Sequence, residues 1–530
     1  MYPMRGAAGL LVSLMAVLLL AACGGGSGGD GGGTIIPGGG SVTLRSLQIT
    51  PSGPDVEAGT TQVLQAMGSY SDGSTRDLSG SVSWSTSAGN LATVAGGTVT
   101  AIAEGTVTIT ASYSGTTATT IVTVTPRQGA ISYLHIFGVA DNDGGQPNGP
   151  LMLASDGNFY GTTRAGGAYS CRGSDRVPCG TVFRMTPGGQ ETVLHSFGAT
   201  PTDGYSPTGA LIQGKDGALY GTTSNGGTYG GGGTIFRITL DGAYSVLHSF
   251  GATADDGGTA TGPLVQTANG DFYGVTGTGG ANHCRQIPQA GGNCGTIFRM
   301  SAAGVVTILY SFGAFPADGV TPIGGLALGN DGNLYGTTVN GGANACGSFG
   351  NTNNCGTAFR ITPAGAYSVV HDFGERASEP IAPQGGLLLG RDGNFYGTSP
   401  SGGSSGHGTL FRMTPAGAVT ILHSFGSVAY DGRGPAQYLT QGSDGSIYGA
   451  TGSGGRRGGD LAGTIFRLSP AGVMATLYSF GPVNKAPSNP TGGVIQGADG
   501  ALYGLTFYNG ELGGKGDRAG FGTVFRLVPP

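Results

Sequence analysis

Charge is scarce in this chain. Asp, Glu, Lys and Arg together make up 10% of its 530 residues, against roughly 25% in an ordinary soluble protein. A net charge of −5 leaves no basic footprint, which argues against nucleic acid as a partner. Glu nearly disappears after residue 127, where only Glu191, Glu375, Glu379 and Glu511 occur, so paired-carboxylate catalysis has little to work with. No apolar run beyond residue 22 is long enough to cross a bilayer, which excludes a multi-pass membrane protein. Neither a P-loop nor HExxH occurs. What the chain has in excess is Gly (111) and Pro (27), about a quarter of its length. Without a period that composition would mean disorder; with one it means repeats joined by tight turns. The length suits two or three domains.

The first 22 residues read as an export signal: Arg5 is followed by an almost unbroken apolar stretch from Ala7 to Ala22. It ends in Leu20-Ala21-Ala22-Cys23, which resembles the lipobox of bacterial lipoproteins. The resemblance implies cleavage before Cys23, lipidation of Cys23 and membrane attachment through acyl chains. Residues 23–43 then form the lipidated Cys and a Gly-rich tether that cannot fold by itself. Gly24 after the Cys points, by analogy with enteric bacteria, to the outer membrane and the cell surface.

Residues 44–126 change pattern. Short alternating runs such as Leu47-Gln48-Ile49, Thr106-Val107-Thr108-Ile109 and Ile121-Val122-Thr123-Val124 read as half-buried strands of a β-sandwich. Tyr70-Ser71-Asp72-Gly73-Ser74, Val82-Ser83-Trp84-Ser85-Thr86 and Ala103-Glu104-Gly105-Thr106 resemble the bacterial Ig-like group 2 domain. The resemblance implies a spacer, with Trp84 in its core.

Residues 127–530 are repetitive. A Tyr-Gly step recurs at Tyr160, Tyr220, Tyr273, Tyr335, Tyr396, Tyr448 and Tyr503, and a Gly-Thr-x-Phe-Arg step ends at Arg184, Arg237, Arg299, Arg360, Arg412, Arg467 and Arg526. A third step places Phe at 137, 197, 250, 312, 373, 425 and 480. Each repeat converts to four antiparallel strands, the first two joined by an Asp-Gly or Asn-Gly pair suited to a type I′ turn. The copy of the fourth strand ending at Phe137 precedes every other strand, and the last repeat stops after its third. That offset predicts a seven-bladed β-propeller in which residues 131–137 complete the last blade near Thr523 to Leu527. The fold class is therefore all-β, a sandwich followed by a closed propeller. The repeat text also resembles the Gloeo/Verruco tandem repeat of bacterial surface proteins, which implies secretion and anchoring but little chemistry.

Residues present in every repeat read as fasteners. The seven Arg can pair with the turn acids, and His at 135, 195, 248, 371 and 423 alternates with Tyr310 and Tyr478, which suits hydrogen-bonded packing rather than metal ligation. Asp141-Asn142-Asp143-Gly144 reads as a turn, since an EF-hand would need Glu where Met152 stands. No metal and no cofactor are expected. Cys171/Cys179, Cys284/Cys294 and Cys346/Cys355 lie pairwise in the loops between second and third strands, and read as disulfides of an exported chain. Those long loops share a face with the connections between repeats, where Tyr169, Arg172, His283, Arg285, Phe349, Asn351, Arg456 and Arg457 are candidate ligand contacts. The expected function is non-catalytic binding of a surface glycan or protein by a monomer held to the membrane by its lipid. The alternative is a polysaccharide hydrolase or lyase, for which Glu375 and Glu379 beside His371 are the acid pair to inspect.

Overall fold

The computed structural model is all-β. It describes residues 41–530 except 126, 172–178, 254, 283–293, 345, 347–354, 377, 429, 457–461, 482–485, 491 and 509–520. Cys23 and most of the Gly-rich tether lie outside the described residues.

In the N-terminal unit Leu44–Thr50 pairs antiparallel with Gln65–Tyr70, and Thr116–Thr125 with Gly105–Tyr113, while Asp55–Glu57 joins Thr116–Thr125 in parallel. Alternation turns Val107, Ile109 and Ala111 inward to meet Val122 and Val124. Trp84 is less central than expected. It is partly buried against this core, with its indole N–H donating to the Ser79 carbonyl at 3.0 Å.

From Ala130 onward the architecture is propeller-like, one sheet unit per repeat. In the first repeat Gly144–Pro147 and Met152–Leu153 both pair with Phe159–Gly166, which pairs with Thr181–Met185 and then Glu191–Ser196. The first strand of this sheet is thus in two pieces. Gln146 adopts a left-handed φ of +54° and Pro150 has no N–H to offer the ladder. The Asp-Gly turn also differs from a type I′ turn. Only the Gly has positive φ (+79° at Gly157), and the Gly157 N–H donates to the Ala154 carbonyl at 3.0 Å. This is a three-residue loop with a type I turn and a Gly bulge. Asp156 stays right-handed and its carboxylate accepts the Asn158 N–H at 3.0 Å.

The repeated Gly-Thr-x-Phe-Arg step has two inward tasks. Its Phe is buried in every repeat (Phe183, Phe236, Phe298, Phe359, Phe411, Phe466, Phe525). Its Thr faces a Thr or Ser of the second strand, the two hydroxyl oxygens 2.7–3.0 Å apart in all seven repeats. Pairing two hydroxyls removes the penalty of burying either alone.

Adjacent sheets are joined backbone to backbone. The N–H groups of Ser206, Thr321, Ala382, Gly434 and Asn489 donate to carbonyls of Cys179, Cys294, Cys355, His407 and Ala462 in the preceding repeat, at 2.9–3.0 Å. Gln146 in the first repeat donates to Phe521 in the last, at 2.9 Å. All six donors have φ between +51° and +60°, a conformation costing roughly 1–2 kcal/mol for a residue with a Cβ. Elsewhere between sheets, a Cβ on Gly209, Gly324, Gly385 or Gly492 would collide with the carbonyl of Gly262, Gly385, Gln437 or Gly149 in a neighbouring repeat. The early copy of the fourth strand, Ala130–Ile136, pairs antiparallel with Thr523–Val528, with Ile131 opposite Leu527 and Ile136 opposite Thr523.

Two of the three expected disulfides lie among the described residues, Cys171–Cys179 and Cys346–Cys355, each with a Cα–Cα distance of 5.4 Å. Cys294 is disulfide-bonded, and Cys284 lies outside the described residues.

Two measurements test this account. Gly385→Val should lower unfolding stability by about 1–3 kcal/mol through overpacking, while Gly231→Ala, whose Cβ would meet nothing within 4 Å, should leave the denaturation midpoint unchanged. Non-reducing peptide mapping should recover 171–179, 284–294 and 346–355. Replacing both cysteines of one pair by Ser should cost roughly 2–3 kcal/mol by loop entropy.

Candidate functional site

The repeat region has two unlike faces. On the short-turn face every repeat presents the same group of Tyr, Arg and a turn Asp or Asn. The Tyr hydroxyl donates to the turn Asp at 2.8–3.0 Å in six repeats. Arg237 and Arg526 pair with Asp216 and Asp499 at 2.7 Å, while Arg299, whose turn residue is Asn269, takes Asp271 at 2.8 Å. Partial burial, with Asp331 accepting its proton, pushes the Tyr335 hydroxyl up to about 12. Such repetition fastens each sheet and leaves little to distinguish one repeat from another.

The opposite face carries the variation. In each repeat a bulge in the fourth strand, such as that between Val182 and Phe183 in their pairing with His195 and Val193, lets His195 and Phe197 meet edge to face at 5.0 Å. Eight residues beyond the His or Tyr comes an acid, in six of seven repeats: Asp143, Asp203, Asp256, Asp318, Glu379 and Asp431. Its carboxylate accepts a backbone N–H from the turn at 2.8–3.0 Å. It also meets the ring: His135 at 3.2 Å, His195 at 3.1 Å, His423 at 2.8 Å and the Tyr310 hydroxyl at 2.7 Å. In two corners a third contributor begins the fourth strand of the next repeat. Tyr244 donates to Asp203 at 2.7 Å and stacks on His195, and Tyr367 donates to Asp318 at 2.9 Å and stacks on Tyr310.

Two corners stand apart by their extra carboxylates. In the first, the strand-start residue is Glu191, where other repeats have Tyr, Val, Met or Ile. Burial, then the nearby Asp143 carboxylate, pushes the Glu191 carboxyl up to about 7, against a smaller opposing pull from His135. In the second, Asp372, Glu375 and Glu379 gather around His371. Ala343, Asn344, Val369, Val370, His371, Asp372 and Glu375 line an open cleft of about 450 Å³. Glu379 is committed to its turn, accepting the Glu375 N–H at 3.0 Å. His371 Nε2 lies 4.0 Å from the Glu379 carboxylate and is buried without a hydrogen-bond partner. Burial lowers its basicity, outweighing the opposing pull of Glu379, Asp372 and Glu375.

Of the residues selected by sequence, Tyr169 is 46% exposed on this face. Arg456 is partly buried, its backbone N–H donating to Ser479 Oγ at 3.2 Å. Arg172, His283, Arg285, Phe349, Asn351 and Arg457 lie outside the described residues. Sequence reasoning passed over Tyr229 (56% exposed), Phe315 (45%) and Phe521 (39%), all on loops of the same face. It also passed over Glu191, which aligning the seven strand starts would have exposed.

A pH prediction follows from His371. The fold favours its neutral form, so its contribution is complete above the ordinary imidazole value of 6.5 and is lost as pH falls below it. Melting between pH 7 and pH 5 should therefore show a smaller loss for His371→Tyr, the residue found at two equivalent corners, than for the unaltered protein.

No curated protein matches the sequence. Among solved structures, the extracellular domain of a chain described as a hybrid two-component system of B. thetaiotaomicron is similar, at 10% identity and a TM-score of 0.47, over 80% of this chain and 44% of that one. An ulvan lyase of polysaccharide lyase family PL25 matches at 11% identity and 0.41, over 74% and 96% of the two chains. A surface component of the type-IX secretion system of Porphyromonas gingivalis matches at 12% and 0.42, over 89% and 56%. The chain thus spans under half the length of the first and just over half of the last. The bacterial Ig-like group 2 domain is matched at residues 44–124. The Gloeobacter/Verrucomicrobia repeat is matched over residues 95–350 and 346–530, most of the chain, and the chain belongs to that family.

Proposed function

We propose that this is a non-catalytic cell-surface protein whose seven sheets close into one propeller and bind a glycan through the long-loop face. The observation that carries the reading is the placement of exposed aromatic rings. Among the described residues of the repeat region, Tyr169, Tyr229, Phe315 and Phe521 are the aromatics exposed enough to count as surface, and all four belong to the loop face. Flat rings backed by a rigid scaffold suit stacking on sugar faces. Closure of the ring is supported by the pairing of Ala130–Ile136 with Thr523–Val528 and by the Gln146 to Phe521 bond. In this reading residues 44–126 are the spacer, and Cys23 holds the protein to the outer membrane as a lipoprotein. Residues 127–530 act as a monomeric binding module without a cofactor.

A polysaccharide-cleaving enzyme is the second reading, favoured by the carboxylates at the His371 cleft. Glu379 weakens it, because that carboxylate fixes a turn just as its counterparts do in other repeats. The test is a glycan array probed with the chain from residue 44, beside a cleavage assay on the same polysaccharides. The expected result is binding without cleavage, with affinity falling at least tenfold in a Tyr169→Ala, Tyr229→Ala, Phe315→Ala triple variant that melts near the parent temperature. Cleavage abolished by Glu375→Gln would overturn the proposal in favour of the enzyme.

A further inference from the structure

We propose that His135, Asp143 and Glu191 form a structural site for a divalent transition-metal ion that clamps the seam between the first and last repeats. The three residues come from separate elements. His135 lies on the strand that completes the last sheet, Asp143 on the connection that follows, and Glu191 on the outer strand of the first repeat. One ligand atom from each can be chosen so that all lie within 4.8 Å of one another. Modest side-chain rotation would bring them to the separations required for metal–ligand bonds of about 2.0–2.2 Å.

The chemistry of the corner leaves a vacancy for positive charge. In the next corner Tyr244 satisfies Asp203 by donating its hydroxyl proton. In this one the equivalent residue is Glu191, a second carboxyl facing Asp143, and the pair offers oxygen ligands to a cation once both are ionised. Glu191 Oε1 is buried and receives no hydrogen bond. The Asp143 side chain is only 2% exposed and is already oriented by the N–H groups of Gly138 at 2.8 Å and Gly144 at 2.7 Å. Such outer contacts are what fix a metal-ligating carboxylate. His135 Nε2 points at the same carboxylate from 3.2 Å, so a cation between them would replace one hydrogen bond with two coordinate bonds. One imidazole and two carboxylates suit zinc or manganese better than calcium, which takes six to eight oxygens. The site was not legible from the local loop, since its third ligand arrives from the neighbouring sheet.

The experiment uses the untagged chain from residue 44, stripped with chelator and dialysed. Calorimetric titration with zinc chloride, and separately with manganese and calcium chlorides, is read together with melting temperature. The expected result is one zinc or manganese ion per chain with micromolar or tighter affinity and a rise in melting temperature, and weaker binding of calcium. Glu191→Tyr and His135→Tyr each install a residue that equivalent corners already hold. Both should fold, and both should weaken binding at least a hundredfold and lose the metal-induced rise. No saturable binding, or binding that survives both substitutions, would overturn the site. Glycan binding by the metal-stripped chain, measured in parallel, separates failure of this site from failure of the binding reading.

Discussion

Backbone must approach backbone wherever two repeats meet, and most of the composition follows from that constraint. Gly209, Gly324, Gly385 and Gly492 sit where any side chain would strike a neighbour's carbonyl. Elsewhere a left-handed residue aims its N–H across the seam, at Gln146, Ser206, Thr321, Ala382, Gly434 and Asn489. The conformational cost of one such residue is comparable to the net gain from one hydrogen bond, roughly 0.5–1.5 kcal/mol. The bond alone therefore barely offsets the strain. What holds the seam is the apolar packing it brings into register, such as Phe159 against Tyr503 and Tyr335 against Phe395, with ring centroids 4.2 and 4.4 Å apart.

Local chemistry written seven times was legible. The Phe and Thr of each third strand, the short turns and the paired cysteines announced a sheet per repeat, and the offset of the first fourth-strand copy announced which strand would complete the last sheet. Features set by neighbouring sheets were not. The first strand is split because Gln146 turns to meet Phe521, far away in sequence. The Asp-Gly turns take a type I geometry because the Asp carboxylate is wanted by a Tyr hydroxyl as well as by the turn. Glu191 looked like one scattered acid among four because its partners lie on another repeat's strand and connection.

The two faces divide labour in a way that one sequence can display. Uniformity on the short-turn face, with its Tyr, Arg and acid, restricts what any one repeat can do differently. The loop face keeps a common frame of ring and acid, then departs from it at Glu191, at Asp372 and Glu375, and at the exposed aromatics. A scaffold of this kind lets loops diverge while the turn acids beneath them keep the backbone in place.

The cysteines have a consequence beyond tethering their own loops. Cys179, Cys294 and Cys355 each offer the carbonyl that the next repeat's left-handed residue seeks. Three of these six cross-repeat bonds therefore end on a cysteine, whereas His407, Ala462 and Phe521 accept the other three without sulfur. A bridge across the loop that bears such a carbonyl narrows the positions from which the next repeat must find its acceptor.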